Sequence, residues 1–196
     1  MQSALESACD ELYNNTAIDY YEIAITYDHP SLGNDSDSTT GCNGYGMLDR
    51  FNDYLNPKNP PVGSHLLVTD YIQNGCANKG NNGSTVLNGN WQPAVVGTEF
   101  PKEVWKNGGI HEVLHNCLDK SVIEDYDSTY IDESHHDLGK VYCGGLANNT
   151  SPMSTGYEND AADRGHCSDG CVFEQAYTTN LTSCTVESID QIANQY

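Results

Sequence analysis

The sequence predicts an α+β fold with a small, mixed, twisted sheet, one long helix and a loop-rich C-terminal part stapled by disulfides. Three observations support this prediction. Helical and strand-like segments alternate over the first 118 residues, the stretch from 119 to 184 has few apolar runs, and eight cysteines are scattered along the chain. A chain of 196 residues fits one domain, 1–196, and is long enough to build its own core.

The periodicity of apolar residues assigns the individual elements. Helical spacing predicts helices over Ser3–Asn14, Gly44–Asn56, Pro101–Leu118 and Thr185–Gln195. Alternation or a short apolar run predicts strands over Ile18–Tyr27, His65–Ile72 and Trp91–Thr98, and Pro93 favours a sheet edge for the last of these. The Gly- and Asn-rich segment Asn74–Asn90 is expected to be a loop. Gly108-Gly109 indicates that the regular part of the third helix starts near Ile110.

The chain is strongly acidic, with 8 Lys and Arg against 28 Asp and Glu and a formal net charge of −20. Such a charge repels nucleic acid and anionic membranes, which we exclude as partners. It suits the solvated surface of a secreted or salt-adapted protein. The alternative is attraction of basic substrates or of Ca²⁺, for which Asn34–Ser38 is a candidate segment. No EF-hand loop pattern is present.

Cysteines and glycosylation triplets both indicate a secreted, extracellular protein. The even number of cysteines predicts four disulfides with no free thiol, and no C-x-x-C pair is present. Acceptor triplets begin at Asn14, Asn34, Asn82, Asn148, Asn149 and Asn180. No apolar run is long enough to span a membrane, and no apolar signal region follows Met1.

The five residues from His111 to His115 form an H-E-x-x-H sequence. Positions i and i+4 lie on one face of an α-helix, so His111 and His115 can offer two imidazole nitrogens to one Zn²⁺. Glu112 lies beside that face, where it can serve as a general base toward a water molecule. The motif therefore predicts a zinc site on the helix, with Glu112 as a catalytic residue.

A zinc hydrolase needs a third protein ligand, which must come from the chain after His115. The candidates are Glu124, Glu133, His135, His136 and His166. His135 and His136 lie at a distance that suits a ligand returned by an intervening loop or second helix. His136 is favoured because Gly139, three residues on, allows a sharp turn near the metal.

Together these features resemble the zincin metallopeptidases, and more specifically a divergent metzincin. Ser151–Tyr157 (SPMSTGY) resembles the methionine turn of that family, and His136-Asp137 resembles the His-Asp pair that closes its zinc motif. The compact form H-E-x-x-H-x-x-G-x-x-H is not present, since Leu118 replaces its glycine and Ser121 its last histidine. The spacing from the turn methionine to the tyrosine is also longer than usual.

The resemblance implies a zincin-like fold in which the third helix is the active-site helix. Met153 would form the floor beneath the zinc histidines, and Tyr157 would stabilise the oxyanion. The expected function is a secreted, zinc-dependent endopeptidase that acts on peptide or protein substrates. An extended substrate could pair with the strand around Trp91–Thr98.

Two other classes stay open from the sequence alone. One is a non-catalytic secreted binding or structural protein on a zincin fold, and intact Glu112 argues against it. The other is a disulfide-rich, acidic Ca²⁺-binding module in which the histidine motif is accidental. Metal analysis of the purified protein separates these classes.

Overall fold

The computed structural model describes residues 1–26, 32, 46–72, 74–78, 83–126, 135, 138–142, 149–154 and 176–196. Within these ranges the chain has a mixed α/β architecture with two small sheets. The helices are α1 (Gln2–Asn15), α2 (Met47–Leu55), α3 (Lys102–Cys117), α4 (Lys120–Tyr126) and α5 (Ser183–Gln195). The strands are β1 (Gly63–Thr69), β2 (Gly75–Ala77), β3 (Trp91–Gly97), β4 (Val141–Tyr142), β5 (Asn149–Thr150) and β6 (Ala176–Tyr177).

β3 is the central strand of the larger sheet, whose strand order is β1-β3-β2. β1 runs parallel to β3 and β2 runs antiparallel to it, so the prediction that this strand lies at a sheet edge is wrong. Pro93 is tolerated because β2 ends at Ala77, and the missing proline N–H falls beyond the paired residues. The Pro93 carbonyl still accepts a hydrogen bond from the Asn78 N–H.

α3 is one continuous helix, so the expectation that regular helix begins only near Ile110 is wrong. Gly108 and Gly109 lie inside the helix, and of the two only Gly109 lies too close to its surroundings for a side chain. A Cβ atom at Gly108 would lie 3.6 Å from Val96 of β3, and one at Gly109 would overlap the end of the Met1 side chain. Glycine has a low helix propensity, and at position 109 it is found where the helix approaches the Met1 side chain too closely for a Cβ atom.

The remaining predicted helices are confirmed as α1, α2 and α5. α1 buries Ala4, Ala8 and Leu12, which recur every four residues on one face. α5 begins where the Thr182 hydroxyl accepts a hydrogen bond from the Thr185 N–H at 3.0 Å, which caps the helix. None of the described helices is both long enough and apolar enough to cross a membrane.

The predicted strand Ile18–Tyr27 does not form over its described residues, 18–26. Alternating apolar residues favour a strand, but a strand also needs a neighbour for its backbone groups. No strand pairs with this segment in the described part of the chain. A side-chain contact tethers it instead: the Tyr21 hydroxyl donates to Asp10, and just before the segment the Ala17 N–H donates to Asp190.

Two segments predicted to be loops contain short regular elements. β2 lies in the Gly- and Asn-rich stretch before β3, and α4 with β4, β5 and β6 lies in the stretch after α3. The second sheet has the order β4-β5-β6, with two residues in each strand. Strands of two or three residues are too short for alternation to be visible in a sequence.

Two clusters of buried apolar residues stabilise the described elements. The first fills the space between α1, α3, α4 and α5 and includes Ile110, Leu114, Leu138 and Met153. The second lies between α2 and the larger sheet and includes Phe51 and Val95. α3 packs against both the sheet and the first cluster, so its side chains are buried on several sides.

The expectation that every cysteine is paired is wrong for two positions, because Cys9 and Cys117 are free thiols. Cys76 and Cys184 take part in disulfides, although no disulfide has both members among the described residues. The other four cysteines lie outside those residues. Burial raises the pKa of Cys117 to about 12 and, with the Asp10 carboxylate, that of Cys9 to about 11.

Candidate metal centre

The site is built from two adjacent rows of residues on α3. Asn107, His111 and His115 recur every fourth residue and therefore lie on one face. Gly108, Glu112 and the next residue in that series, Asn116, form the adjacent row. The first row contacts the C-terminal part of the chain and the second contacts the larger sheet, as the individual hydrogen bonds and close contacts show.

The two histidines of the motif face each other through their Nε2 atoms. The Nε2 atoms of His111 and His115 are 3.0 Å apart, and the rings are nearly perpendicular at 88°. Two nitrogens bound to one tetrahedral zinc at about 2.1 Å are about 3.4 Å apart, so the observed separation is close to that of two ligands of one ion. Both side chains are buried.

The Nδ1 atom of His111 is held by the carbonyl oxygen of Pro152. A carbonyl oxygen only accepts, so His111 Nδ1 carries a proton, and in the neutral imidazole Nε2 then carries the lone pair. A second lone pair at 3.0 Å would repel it. The approach of His115 Nε2 is therefore stabilised by a proton between the rings or by a cation that both rings ligate.

His115 is held at its other nitrogen by His135. The two Nδ1 atoms are 3.4 Å apart, and the His135 ring is 1% exposed. His135 has a positive φ of 67°, a conformation that is uncommon outside glycine and in which asparagine, aspartate and histidine are enriched. The backbone thus turns sharply at the point where this ring is brought against α3.

Glu112 lies beside the two histidines but faces the sheet. One ligand atom from each of His111, Glu112 and His115 can be chosen so that all lie within 4.8 Å of one another. The carboxylate sits against β2, where a Cβ atom at Gly75 would lie 2.8 Å from Glu112 Cδ and would overlap Oε1. Gly75 is thus required to leave room for the carboxylate.

Met153 lies in a tight turn next to Pro152, whose carbonyl oxygen contacts His111. The Ser154 N–H donates to the Ser151 carbonyl at 3.1 Å, which closes the turn, and Met153 is 1% exposed within the first core cluster. Gly139 packs so closely on this turn that a Cβ atom there would overlap the peptide between Met153 and Ser154. The absence of a side chain at Gly139 therefore lets its backbone approach the Met153–Ser154 peptide closely, a role beyond the sharp turn expected from the sequence.

Asn107 anchors the same face of α3 to the second sheet. Its Nδ2 donates to the carbonyl oxygens of Thr150 at 2.9 Å and Thr178 at 2.7 Å. Neither Asn107 nor Gly75 was among the residues predicted for the site. The signal for Asn107 was its position four residues before His111, whereas no local pattern marks Gly75.

Some predicted site residues lie outside the described part of the chain. These are Glu133, His136, Tyr157, His166 and the candidate calcium segment 34–38. Glu124 lies in α4. The favoured third ligand, His136, and the predicted oxyanion residue, Tyr157, therefore stay predictions.

The donor set fits a transition metal better than a hard cation. Imidazole nitrogens suit zinc and similar ions, whereas Ca²⁺ takes oxygen ligands. Within the described residues, His111, Glu112 and His115 form the group that could hold a metal ion. The fixed lone pair of His111 and the close approach of His115 Nε2 are what such an ion requires.

No protein-family model matches this chain, and no curated protein or solved structure matches it either. The assignment of a function therefore depends on the site itself.

Proposed function

We propose that this protein is a secreted, zinc-dependent endopeptidase of the zincin class, with Glu112 as its general base. The observation that carries the proposal is the buried group of His111, Glu112 and His115, whose ligand atoms lie within 4.8 Å of one another. Two imidazoles and a carboxylate on adjacent rows of one helix supply two metal ligands and a general base, which are part of what metal-assisted hydrolysis requires.

His111 and His115 would hold zinc through their Nε2 atoms, and we propose His136 as the third protein ligand. When bound, Zn²⁺ would polarise the scissile carbonyl and lower the pKa of a water molecule toward ~7. A metzincin-like site would also use Met153 as the floor beneath the histidines and Tyr157 to stabilise the oxyanion. The burial of Met153, and the contact of its neighbour Pro152 with His111, support its part.

Glu112 is suited to proton transfer because it is placed separately from the imidazoles. It accepts a proton from the attacking water and passes that proton to the leaving amine. Glu112 is 7% exposed and its carboxylate has β2 on one side, so bulk water has limited access to it. Low solvent access strengthens the electrostatic interactions of the reacting groups.

The position of β2 revises where the substrate would lie. The strand around Trp91–Thr98 is central, so it does not offer the edge that the sequence suggested. β2 is the terminal strand of the described sheet, and its Gly75 contacts Glu112. We therefore propose that the scissile bond of an extended peptide lies near Glu112.

The cellular setting follows from charge and cysteine chemistry. The disulfides of Cys76 and Cys184 support secretion into an oxidising compartment. The net charge of −20 disfavours nucleic acids and anionic membranes as partners and favours neutral or basic peptides.

The proposal is tested by replacing the base without removing a zinc ligand. Glu112→Gln keeps the size of the side chain and a hydrogen-bonding group but cannot take a proton. Peptidase activity against casein and a peptide library should fall about 10²–10⁴-fold, while zinc content stays at that of the wild type. Glu103→Gln is the matched control, since Glu103 is an exposed residue in the first turn of the same helix.

Chelation followed by zinc addition should abolish and then restore the wild-type activity. A wild-type protein that contains no transition metal after mild purification would contradict the proposal. Equal activity of Glu112→Gln and wild type against every cleaved substrate would contradict the hydrolytic mechanism.

A further inference from the structure

The ring of His135 lies on the side of His115 that faces away from His111. His115 Nε2 is 3.0 Å from His111 Nε2, whereas His115 Nδ1 is 3.4 Å from His135 Nδ1. The His115 and His135 ring centroids are 5.6 Å apart with an angle of 36° between the ring planes. His115 is therefore held at both nitrogens by another imidazole.

The position of the proton on the His115 ring determines whether His135 donates or accepts a hydrogen bond when the site holds a metal. A histidine that ligates a metal through Nε2 keeps its only ring proton on Nδ1. That Nδ1–H group lies against His135 Nδ1, so His135 Nδ1 must accept the hydrogen bond. The ring of His135 then carries its own proton on Nε2. A neutral imidazole meets this requirement.

We propose that His135 is a positioning residue: it accepts the His115 Nδ1–H hydrogen bond and so holds His115 Nε2 toward His111. This inference rests on the proposed zinc site and gives His135 a role outside the metal's own ligands. The corresponding partner of His111 is the Pro152 carbonyl. Each motif histidine is thus oriented through its Nδ1 atom by a group from the C-terminal part of the chain.

The placement of His135 argues against its being a ligand itself. Within the described residues, the ligand atoms that lie within 4.8 Å of one another belong to His111, Glu112 and His115. His135 contacts His115 at the nitrogen remote from that group. Its 1% exposure and left-handed backbone fix the ring in this place.

The backbone conformation also selects the variants for a test. Asparagine tolerates the left-handed region and its side-chain oxygen can accept where His135 Nδ1 accepts. Glycine tolerates the same conformation but offers no acceptor. His135→Asn and His135→Gly therefore differ in the hydrogen bond without adding backbone strain.

Zinc affinity, measured by competition with a chromophoric chelator, should fall about 10–100-fold in His135→Gly and recover in His135→Asn. The matched control is His65→Asn, because His65 lies in β1, with its Nε2 against the Pro61 carbonyl. Equal zinc affinities of His135→Gly and wild type would overturn the inference. So would an Asn variant that binds zinc no better than the Gly variant.

A second measurement uses the wild-type protein and does not depend on how the variants fold. In protein labelled with ¹⁵N-histidine and loaded with ¹¹³Cd²⁺, metal–nitrogen coupling should appear at Nε2 of His111 and of His115. His135 should show no coupling, and the proton of His115 should lie on Nδ1. Coupling to either nitrogen of His135 would make it a ligand and would overturn the inference.

These outcomes separate this inference from the proposed function. Wild-type protein that binds zinc without cleaving peptides defeats the endopeptidase proposal, while the affinities and couplings still decide the role of His135. Wild-type activity combined with unchanged zinc affinity in His135→Gly defeats the positioning role alone. Wild-type protein that binds neither zinc nor cadmium defeats both.

Discussion

Gly75 of β2 lies so close to the carboxylate of Glu112 that there is no room for a side chain at position 75. A Cβ atom at Gly75 would overlap Glu112 Oε1 and would lie 2.8 Å from both Cγ and Cδ. Real Cβ atoms almost never approach other atoms so closely, so any side chain at Gly75 displaces the carboxylate. The sheet thereby determines where the proposed base can sit.

Gly75→Ala should reduce peptidase activity by at least tenfold while leaving zinc content unchanged. The added methyl group moves Glu112 without touching His111 or His115, and a displacement of about 1 Å can cost about 10²-fold in rate. Steady-state kinetics with parallel metal analysis make the measurement. Gly108→Ala is the control, because its Cβ would meet Val96 at an ordinary 3.6 Å. Unchanged kinetics in Gly75→Ala would contradict the placement of Glu112 against β2.

Gly139→Ala should lower both stability and zinc affinity, because its methyl group would overlap the Met153–Ser154 peptide. The turn carries the Pro152 carbonyl that orients His111, so moving it disturbs the zinc site. We expect a loss of at least about 1–3 kcal/mol in the free energy of unfolding, measured in urea. Gly108→Ala, in contrast, should be neutral or stabilise by up to ~1 kcal/mol. Similar behaviour of the two variants would argue against this packing.

The thiols of Cys9 and Cys117 should be present but unreactive in the native protein. Only the thiolate reacts, and burial raises the pKa of Cys9 to about 11 and that of Cys117 to about 12. Iodoacetamide at pH 8 should modify neither residue until the protein is unfolded. Peptide mapping of the unfolded, unreduced protein should then find alkyl groups on both. Fewer than two reactive thiols after unfolding would mean that these cysteines are oxidised.

The same thiols should make stability fall at high pH. Their pKa in the folded protein exceeds the ordinary value of 9.0, so the unfolded chain loses these protons first as pH rises. The contribution is complete below pH 9 and is lost as pH rises toward about 12. Cys117→Ala should therefore lose less stability than the wild type between pH 8 and pH 10 in urea unfolding. An equal loss in both proteins would contradict the raised pKa of Cys117.

Asp119 should stabilise the protein at neutral pH and lose that effect in acid. Burial alone would raise its pKa, but hydrogen bonds from Ser121, Gly83 and Tyr196 outweigh burial and lower it. A lowered pKa means that this contribution is present above the ordinary value of 3.8 and is lost as pH falls below it.

Asp119→Asn should cost about 1–3 kcal/mol at pH 7, since an amide offers one acceptor oxygen where the carboxylate offers two. Urea unfolding at pH 7 and pH 3 should show less acid dependence in this variant than in the wild type. Asp53→Asn, at an exposed position of α2, is the control and should change stability little. The same acid dependence in Asp119→Asn and wild type would contradict the proposed hydrogen-bond network.

Local patterns predicted the helices well and the sheet less well. α1, α2, α3 and α5 follow from apolar spacing, which a helix fixes within a few residues of sequence. The strand predicted over Ile18–Tyr27 failed over its described residues because a strand depends on a neighbour elsewhere in the chain. β2 was missed because three residues do not show a period.

The donor atoms of the candidate site follow from local helix geometry. Four-residue spacing places His111 and His115 on one face of any helix and Glu112 beside them, whatever the rest of the chain does. Three other features depend on long-range packing: β3 is central, Gly75 lies against Glu112, and His135 contacts His115 at Nδ1. The two kinds of feature differ in the sequence distance between the interacting residues. Helix geometry is set by hydrogen bonds between near neighbours in the chain, whereas these contacts join residues far apart in sequence through packing and backbone hydrogen bonds.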